Sequence, residues 1–322
     1  MTAGGGKELV MQGACGLARI HENENKKAGQ EARPTYVRMG RMEQFSQLAE
    51  EFERRARALG FGDIGNYYWY HTVELPDGLV TPGVYDFRGS LGCFPFPEDM
   101  RGMRALDVGS ATGFFAFEFE KRGASVVSVE LPSLYALDRF PGQDIEQIIE
   151  KIEKMMGPKA LARPGAVGKH GAAQLYHYLL DGPFEFCRKL LNSRVERCYS
   201  TVYDLSSANL GPDGFDLVFM GDILLHTLHP LQAMAAVAPL CRGSLVIAQV
   251  MPEATDGRPA MLYMGGDDLY ADEISWWWPN EPCLAQLLKK LGFREVTAVG
   301  SHRGALRPSG HLYDRAILRA VK

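Results

Sequence analysis

The sequence predicts an α/β fold in which helices flank a mostly parallel sheet. Three features of the 322-residue chain support this prediction. A strand–turn–helix–strand unit fills residues 104–131, and three further apolar strands alternate with helical segments between residues 195 and 250. Two extended segments then close the chain after residue 292. Strands that alternate with helices favour parallel pairing, because a parallel crossover needs a helix-length connection.

The first strand of that unit is the short apolar run of residues 105–108. A turn of small residues follows at 109–113, which we call the glycine turn, and a helical stretch then ends before Gly123. Glycine is the residue type expected just past a helix C-terminus. A second apolar strand at residues 125–129 completes the unit and places an acid, Glu130, at its carboxyl end.

The chemistry of this unit indicates a nucleotide cradle. Gly109 and Gly113 let the backbone turn tightly and approach a ligand at the start of the helix. Glu130 emerges beside the turn, where a carboxylate can accept hydrogen bonds from both hydroxyls of a ribose. Asp107 ends the first strand and can orient the turn or accept from a ligand ammonium group. The predicted cofactor contacts in this unit are Asp107, Gly109, Ser110, Gly113, Glu130 and Leu131.

The spacing Asp-x-Gly-x-x-x-Gly at residues 107–113 resembles the nucleotide-binding half of class I S-adenosylmethionine (SAM) methyltransferases. This resemblance implies a Rossmann-like sheet of seven strands, SAM as the cofactor and S-adenosylhomocysteine (SAH) as its product. An NAD site would instead carry Gly-x-Gly-x-x-Gly, so NAD-dependent oxidoreduction is disfavoured. Ala111 replaces the middle glycine of the family's usual loop and slightly restricts how closely the backbone can approach the ligand.

Composition limits the classes of protein and partner. The net charge of −4 argues against a general polyanion binder, so nucleic acid is a less favoured partner than a small molecule. Six cysteines are scattered without a Cys-x-x-Cys pair, which is typical of reduced thiols in a cytoplasmic protein and predicts no metal site. No apolar stretch approaches the roughly 20 residues of a membrane span, and the N-terminus lacks the apolar region of a secretion signal. We therefore predict a cytoplasmic protein without a membrane partner.

The residues before the cradle are predicted to form a tail and a cap. Residues 1–41 are rich in Gly, Glu, Asn and Lys, which predicts a flexible tail. Residues 42–59 have apolar side chains at helical spacing. Beyond them lies an aromatic stretch with a tight turn at residues 76–78, within a hairpin-like element. We call residues 42–100 the cap, and residues 101–322 are the predicted SAM-binding methyltransferase domain.

Residues 132–192 are too many for an ordinary connection between strands. Two helical stretches are predicted in this segment, at residues 144–156 and 172–191, with a Pro/Gly-rich link between them. An insertion after the second strand lies over the carboxyl edge of the sheet, where ligands bind in open α/β folds. We call residues 132–192 the insertion and predict that it is a helical lid. The sequence leaves a dimerisation arm, and hence a homodimer, as the alternative.

The second half of the chain supplies the remaining strands. They are predicted at residues 195–200, 215–220 and 244–250, and the last two at residues 293–299 and 312–321. In the resembling enzymes the turn after the third strand lines the adenine ring, and the fourth strand ends at the edge that faces the methyl group. The further predicted cofactor contacts are Val202, Tyr203, Gly221 and Asp222.

Methyl transfer from a sulfonium is an in-line displacement on an activated carbon, so the protein mainly has to align the reactants and exclude water. An acceptor hydroxyl or ammonium group must also lose a proton to a base. His226 is the leading candidate because it follows the fourth strand at the methyl-facing edge, and a structural histidine is the alternative. His71 and Tyr70, in the aromatic stretch of the cap, are rival bases.

Three further residues are predicted to contact the acceptor. Trp69 carries a polar tip on a large apolar ring, a combination that buried sites use to position substrates. Trp277 is the centre of a tryptophan triplet that offers an apolar wall, and core packing is the alternative for both residues. Arg88 lies shortly before the first strand and can grip a carboxylate, with a surface position as the alternative.

Two segments carry a closer resemblance. Residues 75–83, LPDGLVTPG, resemble the segment before the methyltransferase domain in the tRNA wobble-uridine (5-hydroxyuridine) carboxymethyltransferase-like family. Residues 221–226, GDILLH, followed by HPL at 229–231, are similar to that family's fourth-strand motif. The resemblance extends over about residues 69–293 and implies methyl or carboxymethyl transfer from SAM or a carboxylated SAM. A carboxylated donor would want a cation near the methyl group, for which Arg88 is the candidate.

Together these features predict a cytoplasmic SAM-dependent methyltransferase. The expected acceptor is an oxygen or nitrogen atom of a small aromatic or natural-product-like molecule, because the mild acidity and the aromatic segments suit a compact organic acceptor better than tRNA. Two alternatives remain open. One is an RNA-modifying enzyme of the wobble-uridine type, and the other is a non-catalytic SAM-binding protein that serves as a partner subunit.

Overall fold

The computed structural model describes residues 34–62, 67–156, 171–253, 256–270 and 274–322. The α-helices in these residues are α1 (Pro34–Ala58), α2 (Phe114–Lys121), α3 (Ile145–Met156), α4 (Ala172–Tyr176), α5 (Gly182–Leu190), α6 (Ser207–Leu210), α7 (Pro230–Val237) and α8 (Glu281–Lys290). The strands are β1 (Arg104–Val108), β2 (Ser125–Glu130), β3 (Glu196–Tyr199), β4 (Phe215–Gly221), β5 (Cys241–Gln249), β6 (Met261–Tyr263), β7 (Trp277–Pro279), β8 (Glu295–Ala305) and β9 (Leu312–Val321).

Seven of these strands form one sheet in the order β3-β2-β1-β4-β5-β9-β8. Strands β1 to β5 pair in parallel, β9 pairs antiparallel with β5, and β8 pairs antiparallel with β9. This topology confirms the predicted α/β fold with a mostly parallel, seven-stranded sheet. The strand order reverses between β1 and β4, and ligands of such sheets bind in the crevice beyond the carboxyl ends of the strands at that point.

Alternate side chains of the central strands pack into two separate cores. On one face, Phe219 of β4 and Val246 of β5 pack with α2, the cap and the insertion. On the other face, Val218 of β4 and Ile247 of β5 pack with α7 and α8. Both faces are therefore covered, which is why the strands are continuous apolar runs in the sequence rather than alternating ones.

Two element boundaries differ from the sequence prediction. Helix α1 begins at Pro34 rather than at residue 42, so the end of the segment predicted as a tail is helical, and residues 1–33 lie outside the described part. Strand β8 continues to Ala305 through Gly300, which was predicted to begin a loop. The register of β8 against β9 shifts beside Gly300, whose φ is 130°. Glycine here marks a bulge within a strand instead of a turn.

The cap is joined to the hairpin of β8 and β9. Its predicted tight turn is present at Pro76–Gly78, and the backbone N–H of Leu75 donates to the carbonyl of Leu79 over 2.8 Å. Behind the turn, the backbone N–H of Arg307 donates to the carbonyl of Val84 over 3.0 Å. The Arg307 guanidinium also donates to the hydroxyl of Thr72. These contacts hold the cap over the end of the sheet where β8 and β9 project beyond β5.

The insertion contains helices close to those predicted, and its link at residues 157–170 lies outside the described part. Helices α4 and α5 are joined without a break by a π-helical turn at His177–Asp181. The hydroxyl of Tyr176 donates to the carbonyl of Leu131, which ties the insertion to the end of β2. A small antiparallel pair of β6 and β7, absent from the sequence prediction, contains the tryptophan triplet's last two residues. None of the described helices is long and apolar enough to cross a bilayer.

Candidate active site

A cavity of about 310 Å³ lies beyond the carboxyl ends of β1, β2, β4 and β5. Its wall is built by the strand ends and the segments that follow β3 and β4, by the cap, by the insertion, by Ile274, and by His302 of β8. Its size is within the range of about 300–1,000 Å³ that is usual for small-molecule sites. The cavity is therefore at the place where the reversal of strand order predicts a ligand.

The glycine turn forms the floor of this cavity. Gly109 has a φ of 71°, and its backbone N–H donates to the carbonyl of Val129 over 2.9 Å. A Cβ atom at this position would lie 1.9 Å from Cδ1 of Ile223, which itself lines the cavity. The conformation and the close approach both require glycine. The backbone at the floor is thus left open to a ligand, as predicted for Gly109.

Replacing Gly109 by Ala is expected to lower the free energy of unfolding by about 1–3 kcal/mol, because alanine is strained at positive φ. The same change is expected to weaken SAH binding, because the new Cβ atom would displace Ile223. Adding Ile223→Ala should restore part of the stability, since it removes the collision but not the strain. Gly89→Ala is the control, because a Cβ atom there meets nothing within 4 Å. Thermal unfolding and SAH titration measure both effects, and a Gly109→Ala protein equal to the parent in both would contradict this account of the turn.

Glu130 lies at the end of β2 and closes the glycine turn. Its Oε2 accepts from the backbone N–H of Ala111 over 2.8 Å, and its Oε1 accepts from the backbone N–H of Leu131 over 3.0 Å. Each carboxylate oxygen has two lone pairs, so both oxygens keep the capacity to accept from a ligand hydroxyl. The carboxylate lines the cavity next to Leu131, as predicted for both residues.

Arg197 of β3 is a buried cation that contacts the glycine turn and lies close to Glu130. It is not among the site residues predicted from the sequence. Its guanidinium donates to the hydroxyls of Ser110 and Ser128 over 2.6 and 2.9 Å and to the carbonyl of Ala111 over 3.0 Å. It lies 3.9 Å from Oε2 of Glu130, and its side chain is only 5% exposed. Arg197 therefore fixes the turn and compensates the charge of Glu130. A lone arginine in a short, partly polar strand gives no sequence signal for this position.

Asp107 is buried beside the turn at the end of β1. Its Oδ2 accepts from the backbone N–H of Ala116 over 3.1 Å, which anchors the start of α2. Burial raises the pKa of this carboxyl to about 7, although nearby Arg197 opposes the shift. The group lines the cavity and can exchange a proton near neutral pH. This position fits the predicted roles of orienting the turn or accepting from an ammonium group.

We expect the affinity for SAH to rise by up to about tenfold between pH 6 and pH 8, because ionised Asp107 attracts the ammonium group of the ligand more strongly than the neutral acid does. The raised pKa means that the folded protein holds a proton that the unfolded chain releases above its ordinary pKa of 3.8. Asp107 therefore destabilises the unliganded fold increasingly as pH rises toward 7. Calorimetric titrations at both pH values, with Asp107→Asn as the comparison, test this. An equal slope in the variant would assign the pH dependence to another group.

The turn after β3 forms another part of the wall. Val202 and Tyr203 line the cavity, as predicted for the adenine contact. The hydroxyl of Tyr203 donates to the carboxylate of Asp138 in the insertion, and Oδ2 of Asp138 also accepts from the backbone N–H of Leu228 over 2.7 Å. Asp138 thus joins three segments around the cavity. No local pattern in the sequence marks Asp138, because its partners lie far along the chain.

His226 follows β4 and also lines the cavity. Its Nδ1 is 2.5 Å from the carbonyl oxygen of Ile274. A carbonyl can only accept, so Nδ1 carries the proton and Nε2 holds the lone pair. Burial lowers the pKa of the imidazole, while the Ile274 carbonyl and Asp222 partly oppose this shift. A neutral imidazole with a free Nε2 lone pair is the form that a general base requires.

The two rival bases also line the cavity, on the cap side. The ring of Tyr70 lies 4.8 Å from that of His71 between centroids. His71 is buried, and this burial lowers its pKa to about 3. An imidazole with so low a pKa is a weak proton acceptor at neutral pH. The arrangement therefore favours His226 over His71 as the base.

Asp222 sits at the end of β4 and is held by a second buried arginine that the sequence analysis did not single out. Nε of Arg315 donates to Oδ1 and Oδ2 of Asp222 over 2.8 and 2.7 Å. Arg315 is 1% exposed, and Asp222 has a φ of 49°. Gly221 and Asp222 both line the cavity, as predicted. The ion pair connects the end of β4 to β9 and fixes the carboxylate at the wall.

Two of the predicted ligand contacts, Gly113 of the glycine turn and Arg88 of the cap, lie outside the cavity. Gly113 has a φ of 88°, and a Cβ atom there would come within 2.7 Å of the rings of Phe117 and Phe184. Its glycine serves side-chain packing rather than approach to a ligand. Arg88 binds Asp86 over 2.8 Å and Glu74 over 2.9 Å, so its guanidinium is committed to the cap surface. Arg88 does not line the cavity, and the structure shows it in the surface position that was the alternative.

The two predicted tryptophan contacts are also displaced from the cavity. Trp69 is 1% exposed and packs edge-on against Phe52 and Phe186, at 5.1 and 5.6 Å between centroids. Trp277 donates from Nε1 to the carbonyl of Leu228 over 3.2 Å and borders a separate shallow hollow. The structure shows core packing, the alternative, for Trp69, whereas Trp277 is half-buried between its contact with Leu228 and the hollow. Their polar tips do not turn toward the cavity because neighbouring elements cover them.

The charges around the cavity have one sign. Within the described residues, every charged side chain of the wall is a carboxylate, and no lysine or arginine lines it; the four acids are Asp107, Glu130, Asp138 and Asp222. Arg197 and Arg315 lie behind two of these carboxylates rather than at the surface of the cavity. Such a wall attracts cationic groups and disfavours anionic ones. The described residues also contain no group of three His, Cys, Asp or Glu side chains placed to hold a metal ion.

No protein-family model and no curated protein matches the sequence. Solved structures of similar fold include magnesium protoporphyrin IX methyltransferase from Synechocystis PCC 6803 with bound SAH, at 15% identity over 69% of this chain and 75% of that chain, with a TM-score of 0.39. The N-terminal domain of EvdMO1 with SAH bound is 16% identical over 85% and 97% of the two chains, with a TM-score of 0.47. The 1,6-didemethyltoxoflavin-N1-methyltransferase of Burkholderia thailandensis, with bound SAH, is 16% identical over 92% of both chains, with a TM-score of 0.39.

Proposed function

We propose that the protein is a SAM-dependent methyltransferase that methylates an oxygen or nitrogen atom of a small organic molecule. The observation that carries this proposal is one continuous cavity at the edge of the sheet. The glycine turn and Glu130 form one part of its wall, and His226, with a free Nε2 lone pair, forms another. A donor and an acceptor bound in this cavity would be adjacent, as an in-line displacement requires.

The residues of the cradle fit SAM. Glu130 is placed for the ribose hydroxyls, and the lack of a side chain at Gly109 leaves the floor open to the amino-acid part. The acidic wall suits SAM because its sulfonium and ammonium groups outnumber its one carboxylate, and buried Asp107 can pair with the ammonium group. An NAD pyrophosphate would instead introduce two negative charges beside these carboxylates, which is unfavourable.

When bound, SAM supplies an electrophilic methyl carbon, whose bond to sulfur breaks with the electron pair remaining on sulfur. An acceptor atom aligned with that carbon would bond to it, and Nε2 of His226, which holds the lone pair, would take the acceptor's proton. The Nδ1–H of His226 keeps donating to Ile274, so the carbonyl stabilises the imidazolium that forms. The apolar walls from the cap and the insertion exclude water from the reacting groups.

The acceptor's charge distinguishes the two acceptor classes left open by the sequence. The resemblance to the wobble-uridine family makes RNA, with SAM or a carboxylated SAM, the alternative. A carboxylated donor or a nucleotide phosphate would bring an anion into a wall whose charged side chains are all acidic. We therefore favour a small acceptor and an ordinary SAM donor.

We favour a lid over a dimerisation arm as the role of the insertion. Side chains of the insertion, among them Ile152 and Leu179, line the cavity, which supports a lid more directly than a dimerisation arm. A homodimer remains compatible with a lid.

The six scattered cysteines support a cytoplasmic location.

Methyl-tritiated SAM tests the function directly. The purified protein is incubated with the labelled donor and either bulk tRNA or a small-molecule extract, and His226→Gln serves as the control for enzyme-dependent transfer. We expect tritium in the small-molecule fraction, lost in the control, and none in tRNA. Label in tRNA alone would favour the wobble-uridine alternative, and label in neither fraction would support the non-catalytic one.

A further inference from the structure

Two buried histidines at the cavity wall have no part in the mechanism above. His71 belongs to the cap, and His302 belongs to β8, so they come from segments that are far apart in the sequence. Both residues are buried, at 5% and 3% exposure. Both residues line the same cavity as the glycine turn. A structural role alone would not need two imidazoles from separate elements to meet at a ligand cavity.

Neither imidazole is satisfied by the protein. Nδ1 of His71 and Nδ1 of His302 are both buried and have no hydrogen-bond partner in the described residues. Leaving a buried polar atom without a partner is costly, so such atoms usually have a structural or ligand-related explanation. A neutral imidazole offers one N–H donor and one lone pair. The Nδ1 atoms are enclosed, whereas Nε2 of each ring is not among the enclosed atoms, so each histidine can contribute a hydrogen bond through Nε2 to a molecule that enters the cavity.

The surroundings of both histidines are aromatic. The ring of Phe87 lies between them, at 5.5 Å from His71 and 5.4 Å from His302 between centroids. Phe94 lies 4.8 Å from His302, and Phe115 lies 6.3 Å from His71. These phenylalanine rings also line the cavity. Flat apolar walls of this kind favour a flat apolar ligand body.

Charge restricts the ligand further. Burial lowers the pKa of His71 to about 3 and that of His302 to about 4, so both are neutral at physiological pH. The charged side chains of the described cavity wall are all acidic. A carboxylate or phosphate on the acceptor would therefore find no cation to pair with, whereas a neutral hydroxyl or amine would find hydrogen-bonding partners.

We propose that His71 and His302 are specificity-determining residues that select an uncharged aromatic acceptor bearing a hydroxyl or amino group. This proposal rests on the proposed function, because it assigns the acceptor's chemistry in that same cavity. The aromatic walls hold the ring of the acceptor, and the two imidazoles exchange hydrogen bonds with its polar groups. Charged analogues of the same shape are rejected because the wall offers them only neutral or acidic groups.

Three naphthalene probes that differ in one group test the proposal: 2-naphthol, naphthalene and 6-hydroxy-2-naphthoate. Each is titrated at pH 6.5 into the parent protein saturated with SAH, with binding followed by calorimetry. We expect 2-naphthol to bind at least about tenfold more tightly than either of the others, since a lost hydrogen bond to a buried group is worth about that factor. Equal or tighter binding of the carboxylate, or no binding of 2-naphthol, would overturn the proposal.

Variants assign the preference to the histidines. His302→Phe and His71→Phe keep a ring for packing and remove the nitrogen atoms, so each should bring 2-naphthol close to the affinity of naphthalene while leaving the SAH affinity unchanged. His302→Asn restores hydrogen-bonding groups and should recover part of the preference. If His302→Phe loses SAH binding, His302→Asn is the variant that tests the proposal. His311→Phe is the matched control, because His311 follows β8 but does not line the cavity. An unchanged preference in His302→Phe and His71→Phe, or no recovery in His302→Asn, would sink the proposal.

The SAH titration separates this failure from failure of the proposed function. If the parent binds SAH but shows no preference for 2-naphthol, only the assignment of the two histidines is wrong. If the parent does not bind SAH, the donor site itself is wrong and the acceptor proposal falls with it.

Discussion

Replacing Glu130 by Gln is expected to weaken the binding of SAM and SAH by about 10- to 100-fold, which corresponds to losing charged hydrogen bonds of about 1.5–3 kcal/mol. Two effects add in this variant. The amide nitrogen of glutamine cannot accept from the ribose hydroxyls, and it would also face the backbone N–H groups of Ala111 and Leu131, which now donate to the carboxylate. The glycine turn then loses its anchor at the same time as the ligand loses a partner.

Calorimetric titration with SAH measures this effect. Glu196→Gln is the matched control, because Glu196 is exposed on the neighbouring strand β3 and does not line the cavity. Arg197→Met should weaken SAH binding in the same direction, since Arg197 donates to Ser110 and Ala111 beneath the turn. SAH affinity within a factor of about two of the parent in Glu130→Gln would contradict the ribose assignment.

Replacing His226 by Gln is expected to lower the rate of methyl transfer by about 100- to 10,000-fold, the usual contribution of a positioned general base. The affinity for SAH should stay close to that of the parent, because none of the donor contacts assigned above involves the His226 side chain. Single-turnover rates with a responding acceptor, together with SAH titration, separate the two quantities. His229→Ala is the control, since His229 is exposed and lies outside this cavity. Loss of SAH binding with an unaltered rate at saturation would make His226 a structural residue.

The pH dependence provides an independent check on His226. A base must be unprotonated, so the rate falls as the pH drops through the pKa of the imidazole. Burial places that pKa below its ordinary value of 6.5, so the acidic limb of the rate profile should lie below pH 6.5. The limb should vanish in His226→Gln. An acidic limb that is unchanged in this variant would assign the titration to another group.

The fold and the donor side of the cavity could be predicted because their signals are local. The unit from β1 to β2 places Asp107, Gly109 and Glu130 within a short stretch, and the apolar runs of the central strands identify a sheet that is buried on both faces. The geometry of the glycine turn, the strand order and the chemistry of the ligand then all predict a binding site at the same edge of the sheet. Consistency among such local features is what makes a sequence predictive.

The acceptor side could not be predicted in the same way. His302 reaches the cavity from a strand on which nothing in the sequence marks it as buried. The same holds on the donor side for Arg197 and Arg315, which pair with Glu130 and Asp222. For Trp69 and Trp277 the sequence left a substrate contact and core packing as equal alternatives. A large ring with a polar tip suits a substrate wall and a packed core equally, and only the surrounding elements decide between them.

The measurement that tests the central claim most directly is a calorimetric titration of the purified protein with SAM, SAH and NAD. The cradle of Asp107, the glycine turn and Glu130 predicts binding of both sulfur nucleotides and none of NAD. Binding of NAD with no response to SAM or SAH would contradict the account. The cavity would then belong to a different nucleotide, and the proposed methyl transfer would have no donor.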